Sequence, residues 1–202
     1  MDHQPLEPEP LLSLITALRR LPGIGLRSAR RISYYMLQHD LQGLDILSRA
    51  LSNAVINLCH CIQCNNFSEN ELCSMCSNSN RDSNLLCIVE TPADRNILEA
   101  SRSYHGLYYV LMGHLAPLDG IGTHELSFER VLKRASDGIV KEVILATNFT
   151  AEGETTAHFL SEALAKIQVK VSRLARGVPA GSELEYVDAG TVAWAMMERK
   201  PT

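Results

Sequence analysis

Cys61-Ile-Gln-Cys64, eight intervening residues, then Cys73-Ser-Met-Cys76: this stretch divides a helical half of the chain from an alternating strand–helix half. Two Cys-x-x-Cys pairs across a polar, turn-rich insert place four thiolates at the corners of a tetrahedron, the geometry Zn²⁺ prefers. The insert Asn65–Leu72 suits a short β-loop between two metal-holding turns. Paired disulfides or core cysteines are the plain alternative. Four cysteines in one polar window argue against core, and no secretory signal favours disulfides. Four cysteine ligands leave no open coordination position, so one Zn²⁺ per chain is expected to be structural rather than catalytic. Cys59 and His60 precede the first pair without the two-residue spacing, and Cys87 lies in an apolar run that reads as core.

Working outward toward the N-terminus, Leu44, Leu47, Leu51, Val55 and Leu58 mark a helix from about Leu44 to Leu58. Its apolar stripe suits either the N-terminal module or a subunit contact. Before it, Leu11–Arg20 and Leu26–Gln38 carry helical periodicity on either side of Pro22-Gly23-Ile24-Gly25. The second helix is expected to bury Ala29, Ile32, Tyr35 and Met36. Helix, Pro-Gly-Ile-Gly, helix is the pattern of a helix-hairpin-helix. Its glycines permit the tight turn and let backbone N–H groups at the second helix approach a phosphate. Five arginines (Arg19, Arg20, Arg27, Arg30, Arg31) and no acid lie between Leu11 and His39, in a chain whose net charge is −4. Arg27 and Arg31, four apart, share one face beside the turn. Contacts of this kind read the backbone and not the bases, so sequence-nonspecific DNA binding is expected.

Residues 1–10, with three prolines and three acids, are expected to form a flexible arm. The arm is unlike a secretory leader, and no apolar run reaches the length of a membrane span, so a cytoplasmic protein is expected. Hydrophobic content of 46% and charged content of 21% are ordinary for a globular chain.

Beyond the cysteines, strands at Leu85–Glu90, Leu107–Met112, Glu142–Ala146 and Val169–Leu174 alternate with helices, the mark of an α/β sheet. Glu90, Asp94, Glu152 and Glu154 fall at or just past strand ends, the rim where such sheets bind ligands. A last helix follows from about Gly190 to Arg199.

The order LPGIGLRSARR (21–31), the four-cysteine site, IVETPAD (88–94), LMGHLAPLDGIG (111–122), ATNFTAEGE (146–154) and GVPAGSELEYVD (177–188) resembles the bacterial RecR family of recombination mediators, from about Leu11 to Glu198. The resemblance implies an α/β multi-module chain. Its parts would be a helix-hairpin-helix at 11–57, a four-cysteine zinc finger at 58–80, a Toprim-type sheet domain at 81–175 and a Walker-B-like strand and helix tail at 176–202. It carries DNA contact onto Arg27 and Arg31, zinc ligation onto Cys61, Cys64, Cys73 and Cys76, the Toprim acids onto Glu90, Asp94, Glu152 and Glu154, and the Walker-B-like end onto Asp188. It further implies a nucleoid-associated homodimer or ring tetramer. That assembly would act with RecO and RecF to load RecA at single-strand gaps coated by single-strand-binding protein, on junctions of single- and double-stranded DNA. The competing class is a Mg²⁺-dependent Toprim nuclease or topoisomerase-like enzyme. That chemistry wants a tight aspartate pair at a later strand end, where this chain has Asn148-Phe149-Thr150. The acids are therefore expected to meet a basic partner, with Mg²⁺ held weakly at most. Asp188 has no Gly-x-x-x-x-Gly-Lys-Ser/Thr loop to accompany it, so no ATP hydrolysis is expected.

Overall fold

The computed structural model describes residues 7–199, so most of the expected arm and the last three residues lie outside it. The chain divides into two compact units, one ending at Leu58 and the other beginning at Cys59.

The first unit is three helices. Helix α1 (Glu9–Leu18) starts inside the stretch expected to be an arm, with Pro10 in its first turn. Proline is tolerated there because the missing N–H would have no intrahelical partner anyway. Gly23 bends the chain with φ of +80°, and α2 (Leu26–His39) follows. The interior here is small: its buried residues are Ile15 on α1 and, one turn apart on α2, Ala29 and Ser33. Ser33 Oγ donates back to Ala29 O at 2.9 Å, which lets a polar residue sit in that interior. The expected apolar face of α2 is therefore shifted, and Tyr35 is 59% exposed. Asp40 caps α3 (Leu41–Asn57) by accepting from Gly43 N at 2.8 Å, so that helix begins earlier than its leucine repeat suggests. No residue of α3 is buried, and Leu47, Leu51, Val55 and Ile56 stand in solvent.

The second unit opens with a small antiparallel ladder, β1 (Cys59–His60) against β2 (Phe67–Ser68), which closes the insert between the cysteine pairs. Next come β3 (Asp82–Val89), α4 (Pro92–Ala100), β4 (Gly106–Val110), α5 (Phe128–Ala135), β5 (Glu142–Ala146), α6 (Ala151–Ala165) and β6 (Lys170–Arg173). A 3-10 turn at Leu184–Tyr186 and α7 (Ala189–Met197) end the chain. The four longer strands form one parallel sheet in the order β4-β3-β5-β6.

Alternation along the strands sends Leu86, Ile88, Leu107, Tyr109, Val143 and Leu145 to one face, where they pack with Val131 of α5 and Leu160 and Leu164 of α6. Cys87, Val89, Tyr108 and Val110 go to the other face, with Leu98 of α4 and Met75 of the cysteine segment. Cys87 is core, as expected, and burial pushes its thiol up to about 12. β4 is the edge of the sheet, and the cysteine segment covers it. Val110 N donates to Cys64 O at 2.8 Å, and Asn65 Nδ2 donates to Val110 O at 2.8 Å. An otherwise open strand edge is thereby paired.

Candidate nucleic-acid interface and metal centre

At the hairpin, α2 begins with Gly25, which has no side chain to cap the first-turn amides. Those N–H groups, at the positive end of the helix dipole, are left for another acceptor. Gly23 and Gly25 have no heavy atom within 4 Å of the place a Cβ would occupy, so the backbone is open on that side. Arg27 and Arg31 are exposed, and neither joins an ion pair among the described residues, whereas Arg30 lies 3.4 Å from Glu7. Uncapped amides beside two exposed guanidinium groups are an arrangement that can hold a phosphate.

In the cysteine segment, one sulfur from each of Cys61, Cys64, Cys73 and Cys76 lies within 4.8 Å of the others. A tetrahedron with Zn–S bonds of about 2.3 Å has edges of roughly 3.8 Å, so the four fit a zinc ion with little movement. Cys61, Cys64 and Cys73 are buried, and Cys73 N donates to Cys61 Sγ at 3.4 Å, a bond that favours a thiolate. A hydrogen bond from the Cys76 thiol draws Cys64 down to about 5. The same bond, then burial, pushes Cys76 up, and burial raises Cys73. The thiols cannot all ionise side by side without a cation. Cys59 is outside the group, its thiol directed at Ser68 O and Asn70 O, and His60 Nδ1 lies 2.8 Å from Asn65 O.

The sheet rim departs from its expectation. Strand order reverses between β3 and β5, and Glu90 and Asn148 sit just past their C-terminal ends, where such folds place ligands. Glu90, however, is only 1% exposed. Its carboxylate accepts from Asn148 N and Asn148 Nδ2, both at 2.8 Å, with His114 Nδ1 at 3.3 Å. Asp94 closes a capping box on α4: Thr91 N donates to Asp94 Oδ2 at 2.9 Å, and Asp94 N to Thr91 Oγ1 at 3.2 Å. Glu152 and Glu154 lie in the first turn of α6, capped by Thr150, and not along a loop. Arg173 holds Glu154 at 2.7 Å and Arg176 also pairs with it, so this acid is neutralised within the chain. Glu152 alone is exposed without an ion pair among the described residues. The four acids expected at the rim do not gather into one group among the described residues. Among the described residues the four cysteines are the only group of three or more His, Cys, Asp or Glu close enough to share an ion, and nothing in the acids' arrangement supports Mg²⁺.

Spacing alone missed the residues that reshape this rim. Arg176 stacks on Phe149 and Trp194 with ring centroids at 4.7 and 4.1 Å, and Arg173 lies 4.9 Å from Phe149. The basic tail of β6 was the only sequence sign of them. Asp188, expected to end a Walker-B-like strand, follows a 3-10 turn instead. It caps α7 by accepting from Thr191 N at 2.9 Å.

An open hairpin terminus, a four-cysteine centre and a parallel sheet with all but one of its rim acids already engaged fit a modular nucleic-acid-binding protein. The comparison with protein families narrows this. Residues 11–55 match the RecR helix-hairpin-helix, 58–78 the RecR four-cysteine zinc finger domain, 84–175 the Toprim domain and 177–200 the RecR C-terminal region. The chain belongs to the RecR family. Those domains support a recombination-mediator role in DNA repair and a non-enzymatic reading, and the zinc-finger match agrees with the four clustered cysteines. No helix among the described residues is long and apolar enough to cross a membrane.

Proposed function

We propose that this chain is a cytoplasmic, nucleoid-associated mediator that holds DNA through the backbone and loads RecA at single-strand gaps with RecO and RecF. The observation that carries the reading is the uncapped N-terminus of α2 beside Arg27 and Arg31, within a RecR hairpin. In this reading Cys61, Cys64, Cys73 and Cys76 hold one structural Zn²⁺ per chain. The Toprim sheet is a scaffold that has lost catalysis: the positions an enzyme would fill with an aspartate pair hold Asn148 and Thr150, and Asn148 donates to the very carboxylate it would otherwise assist. Exposed Glu152 remains for a basic partner surface, RecO above all. One hairpin makes few phosphate contacts, so several in one homodimer or ring tetramer are needed to raise the effective concentration of each next contact.

The test is fluorescence anisotropy with gapped DNA of two unrelated sequences, across a salt series. Arg27→Ala and Arg31→Ala should each weaken binding equally for both sequences and lower the salt slope by roughly one. Wild-type affinity in the double variant would reduce these arginines to a solvated helix face. RecA loading on coated gaps, with and without RecO, separates a mediator from a simple DNA-binding module.

A further inference from the structure

Arg130, Lys133 and Arg134 follow one another on α5 at helical spacing and share a face. With Ile62 and Gln63 of the cysteine segment, Tyr109 of β4 and Asp137, they line a cavity of about 340 Å³. Tyr109 is 1% exposed, and its hydroxyl has no hydrogen-bond partner. A buried hydroxyl left unpaired carries an uncompensated desolvation cost, which an acceptor entering the cavity would remove.

The charges around it are pre-set. Arg130 donates to Asn65 Oδ1 and to Ile62 O, both at 3.2 Å, which fixes the guanidinium and leaves further N–H groups unused. Arg134 pairs with Asp137 at 2.8 Å, and that carboxylate also accepts from Ile139 N and Val140 N. Lys133 makes no ion pair among the described residues. Three cations thus face one acid that is already engaged. Glu129, the one acid within α5, lines a different cavity. The negative end of α5 accounts for the sign of Lys133 and Arg134. It does not account for the unpaired tyrosine hydroxyl.

We propose that this cavity is a second phosphate site, taking a phosphodiester of the DNA backbone. A phosphate presents acceptors in several directions, which suits a hydroxyl from β4 together with a fixed guanidinium and an ammonium from α5. A carboxylate from an acidic protein is planar and is satisfied by one arginine fork, the contact Arg134 already makes with Asp137. The inference rests on the DNA-binding reading above and adds a contact that the hairpin does not supply.

The experiment uses full-length protein and labelled gapped DNA, with Arg27→Ala/Arg31→Ala as the comparison. Lys133→Ala should weaken binding about fivefold and lower the salt slope by about 0.9. Tyr109→Phe should weaken binding by a similar factor of roughly five and leave the slope unchanged, since no charge is removed. Its thermal midpoint should be equal to or above that of the wild type, because the deleted hydroxyl has no protein partner. A lowered midpoint means the hydroxyl is structurally engaged and overturns the proposal. DNA binding unchanged in both variants, but reduced by the hairpin substitutions, overturns this site and leaves the hairpin reading standing. Unchanged DNA binding with weakened binding to RecO assigns the cavity to an acidic protein surface and likewise overturns it. Wild-type protein that binds no DNA overturns both readings.

Discussion

Asn148 donates twice to Glu90, through its backbone N–H and its side-chain amide, each at 2.8 Å. The two residues belong to adjacent strand ends, so this contact ties β3 to β5 at the point where strand order reverses. An aspartate at position 148 would put a second carboxylate against the first and call for a cation between them. The asparagine amide instead bridges the two strand ends with no cation needed.

Glu90→Ala should therefore destabilise the fold. It leaves an amide N–H and an Asn148 side chain without their acceptor in a buried site, at a cost of about 2–4 kcal/mol. Urea denaturation measures this, and an unchanged midpoint would show that Glu90 is no bridge. Wild-type protein should also leave DNA uncut with Mg²⁺ or Mn²⁺. A nicking activity abolished by Glu90→Gln would restore the Toprim-enzyme reading.

Gly153 is the neighbouring pressure point. A Cβ there would come within 2.1 Å of Asn148 O and 2.7 Å of Glu90 Oε1. Gly153→Ala must push α6 away from the strand ends or break the Glu90–Asn148 contact. A loss of about 1–3 kcal/mol is expected, despite alanine's better helix propensity. A gain in stability would mean that the helix start yields freely.

Zinc should support the sheet edge as well as its own loop. Val110 N is bonded to Cys64 O, so loss of the metal frees both the cysteine turn and β4. Cys64→Ser, or chelation of wild-type protein, should release one zinc per chain and speed hydrogen exchange at the Val110 amide. Protein purified without chelator and free of zinc would sink this account, as would unchanged protection at Val110 after chelation.

The helices, the parallel sheet and the four-cysteine centre were legible because periodicity and spacing encode them locally. The state of the acids was not. Glu90 is buried by groups from β5 and from the loop holding His114, and Glu154 is neutralised by Arg173 and Arg176. Pairings across so many residues leave no periodic trace. Asp94 is different: Thr91-Pro-Ala-Asp94 is a capping-box spacing, and it was readable as a helix start before it was read as a rim acid. Tyr35 was misplaced because the α1–α2 contact selects the small pair Ala29 and Ser33 over the larger apolar residues.

That selection leaves α3 with nothing of its own to cover. Val55 is 83% and Leu51 60% exposed, one turn apart, with Ile56 and Leu47 beside them. A stripe of this kind on a three-helix unit of small interior is most simply covered by another copy of the chain, as the proposed homodimer or ring requires. Light scattering of the wild type should give a mass that is a multiple of 22.4 kDa. Leu51→Glu with Val55→Glu should lower that multiple without loss of helix or zinc, since neither side chain is buried within the chain. DNA binding should fall with it, although no arginine is touched, because each hairpin then binds alone. A variant that keeps the wild-type mass would free α3 from any part in assembly. One that loses assembly yet binds gapped DNA as before would show that a single hairpin suffices.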